Sequence, residues 1–239
     1  MVQSEYCPVV LIPRERVDEM KKNTLIRTLT VILLLLIFVV GGLFFIRPSV
    51  IDKKRAQSEE KILECIEGGQ TDIPELFLPE VSGEDFFEED ELEISASEAT
   101  TENEKEAISG YGIIKIPSIN LKMPIMCGAD RRSLRCGAGW LPSSAEMGQA
   151  GNCVIFGHRM KRFGRHFNRL DELTPGDSIA LTDADGISYD YVVTEKEVIS
   201  PNELRKKLEK HNEGFGLTLV TCTPTGIGSH RLLVYAELQ

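Results

Sequence analysis

Residues 217–222 read LTLVTC, and the alternating apolar and polar side chains of this run are typical of a β-strand with one buried face. The run ends at Cys222, which places the thiol at the mouth of a buried strand. Such a strand end is a rigid platform for a nucleophile. Because a free cysteine has a pKa of about 8.5, a nearby cation or base is needed to raise its reactivity at neutral pH.

The surrounding sequence continues as short β-like segments broken by turn residues, from residue 111 to the end of the chain. The candidate strands are residues 111–116, 123–127, 153–157, 178–181, 188–194, 217–221 and 232–238. Helical interruptions are few: Pro201 opens a helix through Lys210, with Glu203 spaced to face Lys207. The pattern predicts an all-β barrel or sandwich with short helices.

A histidine and an arginine are candidates to act beside the thiol. His158 follows the β-like run 153–157, where an imidazole at a strand end can point into a cleft and carry a proton. Arg231 opens the last apolar run, and a hairpin returning from Cys222 would bring its fixed positive charge beside the sulfur. Each signal is weak alone, because most cysteines and histidines of this kind are structural.

The order of these residues resembles that of the sortases. Residues 218–222 match the TLxTC signature of that family, with a strand-end histidine upstream and an arginine on the following strand. The run after Cys222 is particularly similar to the pilin-polymerising class C enzymes, although the chain ends at Gln239 without the second membrane segment usual in that class. A single N-terminal anchor fits classes A, B and D as well.

The resemblance implies a closed eight-stranded β-barrel and a two-step transpeptidation. Cys222 would attack the threonyl carbonyl of an LPxTG-like sorting signal, and an amine of the cell wall or of a pilin subunit would resolve the thioacyl enzyme. In this interpretation His158 is the general acid and base, Arg231 positions the signal and stabilises developing charge, and Thr221 adds a hydrogen bond to the substrate or oxyanion. The implied partners are surface proteins with a C-terminal sorting signal, and neither a cofactor nor a metal is expected.

Two other functions share parts of this pattern. A cysteine protease uses the same thiol and imidazole but delivers the acyl group to water. A membrane-tethered β-domain without catalytic activity would instead bind a partner at the cell surface. Product analysis separates the first alternative from transpeptidation, and reactivity of the thiol separates the second.

The N-terminal part of the chain predicts a membrane anchor. Residues 28–46 are nineteen residues without a charge, which as a helix would measure roughly 28 Å and cross a bilayer. We therefore divide the chain into a short cytoplasmic tail (1–27), a signal anchor (28–46), a juxtamembrane helix and acidic linker or lid (47–108) and a catalytic domain (109–239). The balance of basic residues around the span does not decide its orientation, and the resemblance places the catalytic domain outside the cell.

Charge and cysteine usage exclude several other classes of protein. The net charge of −10 is concentrated in residues 75–106, which hold thirteen acidic residues and one basic residue and predict a solvated linker or a lid. The rest is near neutral, so a nucleic acid partner is not expected. The six cysteines form no CxxC pair, and Cys127 with Cys136 is the one disulfide considered. The basic cluster of residues 159–165 predicts a solvated loop beside the site. A more specific hypothesis is that this loop recruits an acidic acceptor.

Overall fold

Eight β-strands close into a barrel in the computed structural model, which describes residues 27–38, 53–54, 56–77, 108–160, 166–210 and 214–239. The strands are β1 (Gly110–Ile116), β2 (Leu121–Cys127), β3 (Ala138–Trp140), β4 (Gly151–Phe156), β5 (Ser178–Asp183), β6 (Ser188–Ile199), β7 (Phe215–Thr223) and β8 (His230–Leu238). Their order around the barrel is β1-β2-β3-β4-β7-β8-β6-β5. Neighbouring strands are antiparallel except for β2 with β3 and β4 with β7, which are parallel. The predicted closed eight-stranded barrel with short helices is confirmed.

Seven of the eight strands fall where the alternation of side chains predicts them. No alternation of side chains indicates β3, which has only three residues and contains Gly139. A Cβ atom at Gly139 would lie 2.4 Å from the carbonyl oxygen of Gly128, so the close approach of these two segments requires a glycine. The helix Arg131–Cys136 just before β3 was also missed.

Two hydrophobic layers position the strands. Inside the barrel, alternate residues of β7 such as Leu217 and Leu219 join the main core, whereas Val220 belongs to a second cluster on the outer surface. This outer cluster contains Leu134, Val154, Phe156, Ile199, Leu204, Val220, Leu233 and Tyr235. The sheet formed by β4, β7 and β8 is therefore covered on both faces, so residues 217–221 of β7 are all buried, whereas the alternation predicts burial of one face only.

The helix at residues 56–67 packs on a third apolar cluster outside β1 and β2. Ile62 and Ile66 are fully buried there against Ile113 and Met126. The helix ends at Gly68 and Gly69, the predicted stop, and Gly69 has a positive φ of 76°. One compact unit covers residues 54–239, so this helix belongs to the same unit as the barrel.

The other compact unit covers residues 1–53, of which 27–38 form a described helix with exposed side chains. Within the described ranges, no helix is both long and apolar enough to cross a membrane. Residues 39–46 of the predicted anchor lie outside the described residues, as do residues 78–107 of the predicted acidic linker or lid.

The predicted helix after Pro201 is present, but its ion pair differs. A 3-10 turn, Pro201–Glu203, leads into the helix Leu204–Lys210. The carboxylate of Glu203 accepts a hydrogen bond from the backbone N–H of Ser200 in a capping box. Lys207 forms its ion pair with Glu197 of β6 at 2.6 Å. The hydrogen bond to Glu197 and, to a lesser extent, the negative charge of Glu203 raise the pKa of Lys207, so Glu203 lies near enough to act on it as the spacing predicts.

The cysteine pair considered for a disulfide is not joined. Cys127 is an exposed free thiol, whereas Cys136 is a buried one whose Sγ donates to the Arg132 carbonyl at 3.4 Å. The two residues lie on different elements, β2 and the following helix.

Candidate active site

The parallel pairing of β4 with β7 brings His158 and Cys222 to the same end of the barrel. The ladder keeps a constant register from Gly151 opposite Phe215 to Phe156 opposite Val220. His158 lies two residues beyond Phe156, and Cys222 lies two residues beyond Val220. The common offset places the imidazole-bearing and thiol-bearing residues level with each other, and both are half-buried.

Cys222 and Arg231 form a direct cross-strand pair between β7 and β8. This confirms the predicted hairpin. Directly opposed residues of an antiparallel pair point to the same face, and alternation puts Cys222 on the face of Val220 and Arg231 on that of Leu233, both members of the outer cluster. The thiol and the guanidinium therefore share the outer face of the barrel at one end of the cluster.

The Arg231 side chain is held in a buried position next to the turn after β7. Its exposed fraction is 3%, and its Nη1 donates to the carbonyl oxygens of Gly228 at 2.7 Å and His230 at 3.1 Å. Its Nε is buried and has no acceptor among the described residues. A buried guanidinium with a donor to spare is suited to a carbonyl oxygen or a negative charge that arrives with a ligand.

Two hydrogen bonds fix the backbone just before His158 to the strand just before Cys222. The N–H of Gly157 donates to the Val220 carbonyl at 3.0 Å, and the buried Thr221 hydroxyl donates to the Gly157 carbonyl at 2.8 Å. A Cβ atom at position 157 would lie 2.5 Å from the ring of Phe167, so this close packing needs glycine. No sequence pattern indicates this role of Gly157 and Thr221, because it depends on a contact between segments distant in the chain.

Arg159 departs from the solvated loop predicted for the basic cluster. Its exposed fraction is only 9%. Its Nη1 donates to Thr223 Oγ1 at 2.8 Å, and its Nη2 lies 2.8 Å from Asp171 Oδ1. The prediction was wrong for this residue because the fold supplies two acceptors that are distant in sequence; residues 161–165 of the cluster lie outside the described residues.

Two other described thiols are poor nucleophiles because they are buried. Burial raises the pKa of Cys136 and of Cys153 to about 12, so both are protonated at neutral pH. Cys222 is set apart by its position between a histidine-bearing strand end and an opposed arginine. The arrangement can deprotonate a thiol, offer it to a carbonyl carbon and neutralise the charge that develops on the oxygen. The catalytic assignments of His158, Cys222, Arg231 and Thr221 stay predictions.

Comparison with known proteins agrees with this chemistry. The Sortase domain family model matches residues 114–239. Sortase A of Bacillus anthracis is 28% identical over 207 residues, which cover 87% of this chain and 93% of that protein. Sortase D of Bacillus subtilis is 30% identical over 129 residues, 53% of this chain and 62% of that protein.

Solved structures with the same fold include two sortases C. Sortase C-1 from Actinomyces oris matches with a TM-score of 0.50 and 35% identity over 54% of this chain and 72% of its own. Sortase C from Streptococcus pneumoniae matches with a TM-score of 0.50 and 32% identity over 54% of this chain and 68% of its own. With its closed barrel, its strand-end histidine and the cysteine opposite an arginine, this chain belongs to the sortase family of cysteine transpeptidases.

Proposed function

We propose that this transpeptidase attacks an LPxTG-like sorting signal with the thiolate of Cys222 and transfers the acyl group to an amine. The sulfur adds to the threonyl carbonyl, and the peptide bond after the threonine breaks, which leaves a thioester on Cys222 and releases an amine. The acceptor amine then attacks the thioester. A new amide bond forms, and the thiol of Cys222 is regenerated.

The observation that carries this proposal is the cross-strand pairing of Cys222 with Arg231, with His158 at the adjoining strand end. In the proposed reaction His158 takes the thiol proton and gives a proton to the leaving amine. Arg231 holds the substrate carbonyl and stabilises the charge that develops on its oxygen. The unused Nε donor of Arg231 supports this role.

For Thr221 we propose a contribution through the backbone beside the site. Its hydroxyl proton is donated to the Gly157 carbonyl, next to His158 in the chain. The hydroxyl oxygen can still accept a hydrogen bond, so the predicted contact with the substrate stays a prediction. The buried position of the side chain favours the positioning role.

The proposed substrates are surface proteins with a C-terminal sorting signal, and the proposed acceptor is an amine of a pilin subunit or of peptidoglycan. A pilin acceptor is supported by the likeness to the pneumococcal sortase C, whose structure is described in terms of pilin substrate specificity. A peptidoglycan amine is the other acceptor in this proposal, because a thioester reacts with either kind of amine.

We also propose that the protein is a single-pass membrane protein with its barrel outside the cell. The uncharged stretch of residues 28–46 supports the anchor. Protease treatment of intact cells, followed by detection of the barrel and of the N-terminus, tests the orientation. Degradation of the barrel in intact cells is the expected result, and full protection would contradict it.

Product identification tests the reaction. The full chain is incubated with a panel of fluorogenic LPxTG-like peptides and with either a pilin-derived or a peptidoglycan-derived amine, and the products are identified by mass spectrometry. We expect an amide product with one of the two amines and none with Cys222→Ala. Hydrolysis as the main outcome in the presence of a good acceptor would favour a cysteine protease.

A further inference from the structure

The residues that follow His158 and Cys222 are joined through one side chain. Arg159, directly after His158, donates from Nη1 to the Oγ1 of Thr223, directly after Cys222, over 2.8 Å. The other Nη of the same guanidinium binds Asp171 Oδ1 at 2.8 Å. Its Nε is buried and meets no acceptor within the described part of the chain, so these two contacts are what hold the group.

The Arg159–Thr223 hydrogen bond lies after His158 and Cys222 in the chain, and a second set of hydrogen bonds lies before them. Before the site, Gly157 is bound to Val220 and Thr221 by its N–H and its carbonyl. The regular pairing of β4 with β7 ends at Phe156 opposite Val220. Beyond that point the Arg159–Thr223 contact links the two segments again, so His158 and Cys222 are bracketed by cross-links on both sides.

The Asp171 end of the bridge lies on a short helix beside the His158 segment, and the Asp171 side chain is half-exposed. Asp171 belongs to the 3-10 helix Phe167–Glu172, which returns to the barrel next to the His158 segment. The N–H of Phe167 donates to the His158 carbonyl at 3.1 Å, and Arg159 forms an isolated antiparallel bridge with His166. The guanidinium thus spans from this helix to the end of β7.

We propose that Arg159 is a positioning residue for the transpeptidation, which sets the distance and orientation between the His158 imidazole and the Cys222 thiol by bridging Asp171 and Thr223. The role requires a planar fork with two separated donors, which arginine has and lysine lacks. Arg159 does not touch the reacting atoms in this proposal. It acts through Thr223 on the nucleophile and through its own backbone on the histidine. This inference rests on the proposed function.

The test measures kcat and KM for cleavage of a fluorogenic LPxTG-like peptide by the full chain and by its Arg159→Lys, Thr223→Val and double variants. Because a small misplacement of reacting groups has a large effect on the rate, we expect kcat to fall by about 10- to 100-fold in each single variant, with little change in KM. The double variant is expected to be no slower than the slower single variant, since both changes remove one bridge.

Two further variants separate positioning from general damage. Thr223→Ser retains the hydroxyl that accepts from Arg159 and is expected to keep kcat near that of the wild type. Arg169→Lys is a matched control, because Arg169 lies in the same 3-10 helix but binds Glu172 and the Ile119 carbonyl. It is also expected to keep kcat. If Arg159→Lys folds poorly, Thr223→Val tests the bridge with the Arg159–Asp171 pair intact.

Several results would overturn the inference. The first is a kcat of Arg159→Lys equal to that of Arg169→Lys. The second is a kcat of the double variant reduced by the product of the two single-variant factors. The third is an equal loss of kcat in Thr223→Ser and Thr223→Val. If the wild type cleaves the peptide while the variants give any of these results, only the positioning role of Arg159 is overturned and the proposed function is retained. Absence of turnover by the wild type on every peptide of the panel would overturn the proposed function and this inference together.

Discussion

Cys222 on β7 lies directly opposite Arg231 on β8, and the arginine side chain is buried while the thiol is half-buried. The hairpin therefore fixes the relation between the two groups through the backbone, before any ligand is present. A preorganised cation of this kind stabilises developing negative charge without reorganising during the reaction.

Replacing Arg231 by lysine is expected to keep the charge but to lose the planar fork, so that the contacts with Gly228 and with a ligand cannot both be made. We expect kcat/KM for peptide cleavage to fall by about 10²- to 10³-fold. The matched control is Arg205→Lys on an exposed helix, which should leave kcat/KM unchanged. Equal activities of the two variants would contradict the role of Arg231.

The cysteines are expected to differ sharply in function. Cys222→Ala should abolish both peptide cleavage and the covalent acyl-enzyme seen by mass spectrometry, because the sulfur forms the thioester. Cys127→Ala removes an exposed thiol on β2, which β3 and β4 separate from β7, and should leave both unchanged. An acyl-enzyme that persists in Cys222→Ala would assign the nucleophile to another residue.

Thr221→Val is expected to lower the free energy of unfolding by about 1–3 kcal/mol, because it leaves the Gly157 carbonyl without its buried donor. Thr221→Ser keeps the hydroxyl and should restore most of that stability. Urea denaturation of the three proteins measures the difference. A side chain that served only the substrate would leave the stability of Thr221→Val unchanged and would raise KM instead.

The helix at residues 56–67 is expected to contribute to the stability of the barrel. Ile66 is fully buried against the barrel, and Ile66→Ala should lower the free energy of unfolding by about 2–5 kcal/mol. Ile187→Ala, at a side chain that is 55% exposed, is the control and should have a small effect. A similar small effect of Ile66→Ala in urea denaturation would show that the helix is not held to the barrel in solution.

The free energy of unfolding should decrease in alkaline solution, partly because of the buried thiol of Cys153. Burial raises the pKa of its thiol to about 12, so the folded protein retains a proton that the unfolded chain releases. The associated stability is complete below about pH 8.5 and is lost as the pH rises towards 12. Between pH 8 and pH 10 the expected loss from this group is about 1–2 kcal/mol. Urea denaturation of Cys153→Val should show a correspondingly weaker pH dependence, and an identical dependence would contradict this account.

Local sequence patterns predict much of the barrel, because a half-buried strand imposes a period of two on its side chains. They fail where another interaction decides the structure. The strand β6 extends to Ile199 rather than ending at residue 194, since Glu195, Lys196 and Glu197 are charged yet paired with β8. The helix Arg131–Cys136 depends on its cap, as Asp130 accepts from the N–H groups of Arg132 and Ser133.

The sequence predicts those features of the candidate site that follow from the order of its residues and strands along the chain. His158, Cys222 and Arg231 stand at strand ends that the alternation locates, and the pairing of Cys222 with Arg231 follows from a hairpin. The bridge made by Arg159 could not be predicted, because a run of basic residues indicates a solvated loop. Only the fold brings Asp171 and Thr223 to the same guanidinium.

The parallel pairing of β4 with β7 joins segments that are 64 residues apart in the chain. Contacts between such distant segments form slowly, because the chain loses the entropy of closing a long loop before the favourable strand contacts form. A chain that has not paired β4 with β7 has no imidazole level with Cys222, even if the hairpin of β7 and β8 has already formed. We therefore expect a chain without this pairing to lack enzymatic activity, and activity to arise together with the pairing of β4 with β7.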